Sequence, residues 1–191
     1  LMRTPGNDEE LVAGFLYSEG LIRGAAEILA LAHPEALLEG DCENVVAVEL
    51  AGGGPVVERT FYASASCGVC GKSSIADLAI RAPVVESALR IDRKVLERLP
   101  ERLRAQQSIF AETGGLHGAA LFDAAGTLLA AREDIGRHNA VDKLVGWALA
   151  KARLPLIDTG LVVSGRVSYE IMQEAIAAGI PLVAAIGAPS S

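Results

Sequence analysis

Apolar residues recur along this chain with helical and then strand-like periods, separated by glycine-rich punctuation. Leu11, Val12, Phe15 and Leu16 share one helical face within residues 8–19, which predicts an amphipathic helix with Asn7 or Asp8 as cap and Gly20 as terminator. Residues 45–50 and 56–62 are rich in β-branched side chains and flank Gly52-Gly53-Gly54-Pro55, a hairpin signal. Residues 92–104 read as a charged helix connecting two subdomains. The second half alternates more regularly. Residues 107–113 read as helix, and 117–123 and 127–132 as two strands around Ala124-Ala125-Gly126. Residues 137–153 form a long helix with Val141, Leu144, Val145, Ala148 and Leu149 on its buried stripe. A strand over 161–164, a helix over 168–178 ended by Gly179 and a strand over 182–186 complete the series. Strands separated by helices of this length predict a partly parallel sheet covered by helices.

Composition narrows the class. The chain has 191 residues, 51% of them hydrophobic and only 4% aromatic, which describes a globule packed with alanine, valine and leucine. Its apolar runs, such as 182–186, fall far short of the ~18 residues a membrane span needs. Leu1 to Gly6 carry no signal-peptide core. Three cysteines without a disulfide framework point to a reducing, cytoplasmic compartment. A net charge of −7 argues against general attraction to nucleic acid, while leaving room for a local anion site.

The first concentration of chemistry is Cys67-Gly68-Val69-Cys70-Gly71-Lys72-Ser73. A thiol is nucleophilic as thiolate, which a nearby cation and a helix N-terminus favour. Lys72 supplies the cation, and Ser74-Ile75-Ala76-Asp77 reads as a capping box opening a helix. A zinc site would require four ligands. Cys42, His33, His117 and His138 are scattered singly, so an intrachain zinc site is disfavoured and a half-site completed across a dimer stays open. A thioredoxin-like redox pair also stays open, although the two glycines loosen the loop.

Two strand-to-helix junctions carry the second concentration. The run from Arg132 to Lys143 enters the long helix with Gly136, Arg137, His138 and Lys143 around an N-terminus whose free N–H groups favour an anion. Val163-Ser164-Gly165-Arg166-Val167-Ser168 leaves one strand for the next helix. Ligands of open α/β sheets settle at the carboxyl ends of strands, so the two junctions together suggest a bound phosphate or dinucleotide. Each junction alone also fits ordinary capping, with Glu133, Asp134 and Arg137 salt-bridged and Ser168 as an N-cap. Neither a Gly-x4-Gly-Lys-Ser/Thr loop nor Gly-x-Gly-x-x-Gly is present. His117, after Thr113-Gly114-Gly115-Leu116, begins a strand, where a histidine is more often a hydrogen-bonded structural residue than a catalyst. A zinc deaminase would need His-x-Glu followed by Pro-Cys-x-x-Cys, and here the cysteine pair lies upstream of His117.

Met2-Arg3-Thr4-Pro5-Gly6, Cys67-Gly68-Val69-Cys70-Gly71, Thr113-Gly114-Gly115-Leu116-His117, Arg132-Glu133-Asp134-Ile135-Gly136-Arg137-His138-Asn139-Ala140 and Ser164-Gly165-Arg166, in that order, resemble the FdhD family of formate dehydrogenase accessory sulfurtransferases. The resemblance spans essentially the whole chain. It implies an α/β fold: a small N-terminal α+β subdomain over 1–83, a connecting helix within 84–106 and a cytidine-deaminase-like α/β/α sandwich with a mixed sheet over 107–191. It implies a homodimeric sulfur carrier acting between a cysteine desulfurase and the molybdenum cofactor, bis-molybdopterin guanine dinucleotide, before that cofactor enters formate dehydrogenase. Cys67 would bear the persulfide with Cys70 as partner, and Arg137, His138, Ser164, Gly165, Arg166 and His117 would bind the cofactor transiently. No resident metal or permanently bound cofactor, nucleic acid or membrane partner is expected. An opening strand and a C-terminal stretch after Ser191 are absent relative to the family pattern, so part of the cofactor site is expected to lie outside this sequence. A cofactor-binding chaperone without sulfur transfer, or a zinc-binding structural protein, are the alternative functions.

Overall fold

A computed structural model describes residues 1–33, 45–52 and 84–188. Helix α1 (Asp8–Ser18) is followed by the strands β1 (Ile28–Ala32) and β2 (Ala47–Leu50), which pair antiparallel. Next come helices α2 (Arg93–Ala105) and α3 (Ser108–Thr113), and strands β3 (His117–Phe122) and β4 (Leu128–Asp134). Helix α4 (Arg137–Ala150), strand β5 (Gly160–Val163), helix α5 (Tyr169–Ala177) and strand β6 (Leu182–Ala185) complete the described elements. The larger sheet has the order β4-β3-β5-β6, with β3 antiparallel to both its neighbours and β5 parallel to β6. A mixed sheet covered by helices is therefore present, as the alternation of the second half implies.

The period-two side-chain alternation of the strands divides the core between two faces. Ala119, Leu121, Leu161 and Val163 pack with Val141, Leu144, Val145 and Ala148 of α4 and with Ile171 and Ala175 of α5. Ala120, Phe122 and Val162 meet Leu99 and Leu103 of α2 on the other face. Asp92 starts α2 by accepting a hydrogen bond from the Lys94 N–H at 2.7 Å. The Arg102 guanidinium donates to the Gly126 carbonyl, tying α2 to the β3–β4 turn. That turn is organised by Asp123 Oδ1, which accepts from the Ala125 and Thr127 N–H groups at 2.9 and 2.8 Å.

Helix α1 departs from its expected stripe. Leu11, Ala13, Gly14 and Ser18 are its buried residues, in place of Leu11 with Val12, Phe15 and Leu16. The reason is a glycine-to-glycine crossing: a Cβ on Gly14 would overlap the Asp142 carbonyl, and a Cβ on Gly146 the Glu10 carbonyl. Only hydrogen at both positions lets the α1 and α4 backbones approach this closely. Asn7 occupies the cap position of α1 in the left-handed region, at φ 56°, with no side-chain cap bond. Strand β1, absent from the sequence reading, supplies the partner of β2; the expected partner segment 56–62 lies outside the described residues.

Candidate functional site

Because β3 runs against its neighbours, the start of β3 and the ends of β4, β5 and β6 fall on one edge of the sheet. His117 pairs with Asp134, Ala119 with Val163, and Val163 with Ala185. The N-termini of α4 and α5 open from the same edge, immediately after Gly136 and Ser168. Both junctions singled out in the sequence thus meet here, together with His117.

The backbone of the second junction is held tightly. The Ser164 N–H donates to the Gly118 carbonyl at 2.8 Å, and the Gly118 N–H donates back to Ser164 Oγ at 2.9 Å. The Gly187 N–H donates to the Gly165 carbonyl at 3.1 Å, binding the end of β6 to this turn. A Cβ on Gly165 would lie 3.2 Å from His117 Nδ1 and 3.8 Å from Arg137 Cδ, so the glycine is the floor on which those two side chains lie. Burial first, and then the neighbouring Arg137, His138 and Arg166, push the His117 imidazole below its ordinary 6.5. Four basic side chains, from β3, α4 and the turn between β5 and α5, therefore share one electrostatic neighbourhood.

His138 is anchored from α5. Its Nε2 lies 2.9 Å from Ser168 Oγ and 3.2 Å from Glu170 Oε2. Burial would raise the Glu170 carboxyl, but contacts with His138, its own backbone N–H and Ser168 outweigh burial and hold it at about 2. Ser168 occupies the N-cap position of α5 without a side-chain cap bond, and its hydroxyl meets His138 instead. Glu170 is the site residue that the sequence alone does not single out, whereas Ser168 stands out there as part of the second junction and as an N-cap. The signal for Glu170 is an acidic residue in the first turn of a helix beside the Ser164-Gly165-Arg166 turn, a place where a carboxylate also serves simply to favour the helix N-terminus.

Lys143 takes a different part from the one expected. Its ammonium is 2.8 Å from Asp134 Oδ2, and the two residues are 1% and 0% exposed. It also donates to the Thr4 carbonyl at 3.0 Å. Asp134 further accepts from the N–H groups of Thr4 (3.0 Å) and Gly136 (2.9 Å) and from Asn139 Nδ2 (2.9 Å). Asn139 reaches on to the Met2 carbonyl at 2.7 Å, and Thr4 Oγ1 accepts from the Ile135 N–H at 2.9 Å. Glu133 caps α3 through the Ile109 and Phe110 N–H groups at 3.0 and 2.8 Å. Arg132 forms a bidentate pair with Glu10 at 2.6 and 2.7 Å. The stretch from Arg132 to Asp134, with Asn139 and Lys143, clamps the N-terminal segment, whereas Arg137 and His138 face the basic cluster. A polar cavity of about 200 Å³ beside Pro5, Asn7, Ser108 and Lys143 belongs to this clamp and contains none of the six expected cofactor residues.

Behind the basic cluster lies buried acid. Burial raises the Asp142 carboxyl to about 8, with Ser18 opposing and Glu19 adding to the shift. Glu174 is raised well above 4.5 by burial and then by Asp142, Glu170 and Glu19, with Arg137 opposing. Cys67 and Cys70 lie outside the described residues. Among the described residues no group of three or more His, Cys, Asp or Glu side chains is arranged to hold a metal ion. No helix among them is long and apolar enough to cross a membrane.

The FdhD/NarQ family profile matches residues 1–191. The chain belongs to the FdhD/NarQ family. It is 48% identical over 202 residues to the sulfur carrier protein FdhD of Mycobacterium bovis, covering 100% of this chain and 73% of that one. The Streptomyces coelicolor protein of the same name is 47% identical over 199 residues, covering 100% and 71%. The Sulfolobus acidocaldarius protein is 42% identical over 191 residues, again covering 100% and 71%. Among solved structures, one described as a formate dehydrogenase accessory protein from Desulfotalea psychrophila superposes with a TM-score of 0.70 at 23% identity, over 99% of this chain and 68% of that one. At that identity the likeness bears on the fold. FdhD/NarQ membership agrees with the motifs that carry the sequence resemblance.

Proposed function

We propose that this protein is a sulfur carrier that takes sulfur from a cysteine desulfurase and delivers it to bis-molybdopterin guanine dinucleotide destined for formate dehydrogenase. The observation that carries the cofactor half of this reading is the convergence of His117, Arg137, His138 and Arg166 on one sheet edge, over the Gly165 floor and beside two helix N-termini. Such an edge suits the pyrophosphate and guanine of a dinucleotide: guanidinium groups pair with phosphate oxygens in a fixed fork, and helix N-termini favour anions. Ser164 Oγ accepts from the Gly118 N–H through one lone pair, and its hydroxyl proton can donate to a ligand.

Cys67 supplies the sulfur half. Its thiolate attacks the terminal sulfur of the desulfurase persulfide, the sulfur–sulfur bond of the donor breaks, and the desulfurase thiolate leaves. Cys67 then bears the persulfide. Attack by the Cys70 thiolate on the inner sulfur forms a Cys67–Cys70 disulfide and expels the terminal sulfur as hydrosulfide, after which a dithiol reductant restores both cysteines. The support is the Cys67-Gly68-Val69-Cys70-Gly71-Lys72 motif and membership of a family whose named relatives are sulfur carriers. We further propose a cytoplasmic homodimer with a cytidine-deaminase-like core.

The experiment loads the protein with radiolabelled sulfur from cysteine through a desulfurase and then adds the molybdenum cofactor. Label should pass to the cofactor. Label that stays on the protein contradicts delivery and favours a cofactor-binding chaperone.

A further inference from the structure

A carboxylate beside an anion site needs a reason, because it repels the ligand the site attracts. Glu170 is such a group, placed one residue into α5 at the same edge as Arg137 and Arg166. It is engaged with His138 from α4 at 3.2 Å, and Ser168 Oγ approaches the same ring nitrogen at 2.9 Å. The pair bridges the first turns of α4 and α5, and both partners are largely withdrawn from solvent, at 16% side-chain exposure each.

This arrangement has a chemical consequence. An imidazole has two nitrogens, and Nε2 hydrogen-bonds Ser168 Oγ at the cap of α5 and lies at ion-pair distance from Glu170 Oε2. A carboxylate can only accept, so Nε2 carries the proton in this contact. The neutral ring is then bare at Nδ1, and a phosphate oxygen, also an acceptor, is met there only after Nδ1 gains a second proton. Resting on the cofactor reading above, we propose that Glu170 and Ser168 are positioning residues that fix His138 through Nε2, so that the ring binds a pyrophosphate ester through Nδ1 with uptake of one proton from solvent. The Glu170 carboxylate, 3.2 Å from Nε2, offsets the charge of the imidazolium. When the ligand leaves, the proton returns to solvent and His138 with Glu170 remains in place.

The groups facing His138 fit this division of labour. Arg137 on α4 and Arg166 before α5 are permanently charged and give the site a pH-independent attraction. His117 on β3 is held below 6.5, by burial first and then by Arg137, His138 and Arg166. Asp142 on α4 and Glu174 on α5 are raised and do not compete for the cation as full charges. Glu170, held at about 2, is the carboxylate that is ionised throughout.

The probe is diguanosine diphosphate, whose pyrophosphate is esterified at both ends and has no titrating proton across the range of about pH 5 to 8 in which histidine changes charge. Calorimetry on the full chain should show affinity rising about tenfold from about pH 8 to about pH 6, the scale of one hydrogen bond to a charged group. His138→Gln should lose this rise. Glu170→Gln should weaken binding several-fold at neutral pH and move the rise to lower pH, while Ser168→Ala should weaken it less. The His138 Cε1 resonance of the wild type should titrate at higher pH with the dinucleotide bound than without it, a readout that needs no variant. A His138 midpoint unmoved by ligand, or a pH profile unchanged in Glu170→Gln or His138→Gln, overturns the proposal while leaving the cofactor site standing. No binding by the wild type at any pH overturns the cofactor reading and this proposal with it.

Discussion

Lys143 Nζ and Asp134 Oδ2 are 2.8 Å apart in the interior, and the pair holds the N-terminal segment against α4. Removing one partner of a buried ion pair leaves an uncompensated charge and typically costs about 3–5 kcal/mol. Lys143→Met should therefore destabilise the protein by about that amount. Asp134→Asn combined with Lys143→Met should cost less than the sum of the single changes, because no lone charge remains. Denaturant titration of the three variants checks both statements.

Gly14 and Gly146 make a second test of packing. Alanine is a better helix former than glycine by about 1 kcal/mol, so propensity alone predicts that either replacement stabilises. Each new Cβ would overlap a backbone carbonyl of the facing helix, which cannot rotate away. The expected result is a net loss of at least about 1–3 kcal/mol for Gly14→Ala or Gly146→Ala. The double variant should lose less than the sum, since one separation of α1 from α4 relieves both contacts.

Asp142 and Glu174 set the alkaline side of the stability profile. Both carboxyls are raised in the folded protein, Asp142 from 3.8 to about 8, so the native state holds more protons than the unfolded chain between those values. Stability accordingly falls as pH rises through this window. Glu170 works oppositely: its contribution is full above 4.5 and is lost as pH falls toward about 2. Thermal melts across pH should show a maximum in the mildly acidic range. Asp142→Asn should flatten the alkaline decline and leave the acidic limb unchanged.

Arg137 separates the ligand edge from the structural clamp. Arg137→Ala should weaken diguanosine diphosphate about tenfold, the scale of a charge-assisted hydrogen bond. Lys151→Ala, exposed just beyond the far end of α4, should leave affinity unchanged. Calorimetry at fixed pH and salt makes the comparison.

Much of the second half was readable because local signals and packing agree there. The stripe Val141, Leu144, Val145 and Ala148 predicts the face of α4 that the sheet buries, and the alternation in residues 119–122 divides between two helical layers. Helix α1 was readable as an element but not in its orientation. Gly14 and Gly146 are far apart in the chain, and nothing local says that they meet. Strand β1, Ile28–Ala32, is not legible in the sequence because Ile-Leu-Ala-Leu-Ala has no polar alternation, and none of its residues is fully buried. The site was legible as a gathering of junctions, since strand ends and helix starts of one sheet must share an edge. Its division was not: a lysine near a helix start and a serine at a cap look alike in sequence whether they face a ligand or a buried aspartate and a histidine. Only the fold shows Lys143 turned to Asp134 and Ser168 to His138.

The central claim is sulfur carriage on Cys67, and intact-mass measurement after incubation with a cysteine desulfurase and cysteine tests it most directly. The wild type should gain the mass of one sulfur atom, released by a thiol reductant and absent from Cys67→Ala. No gain on the wild type, or an equal gain on Cys67→Ala, would contradict the account.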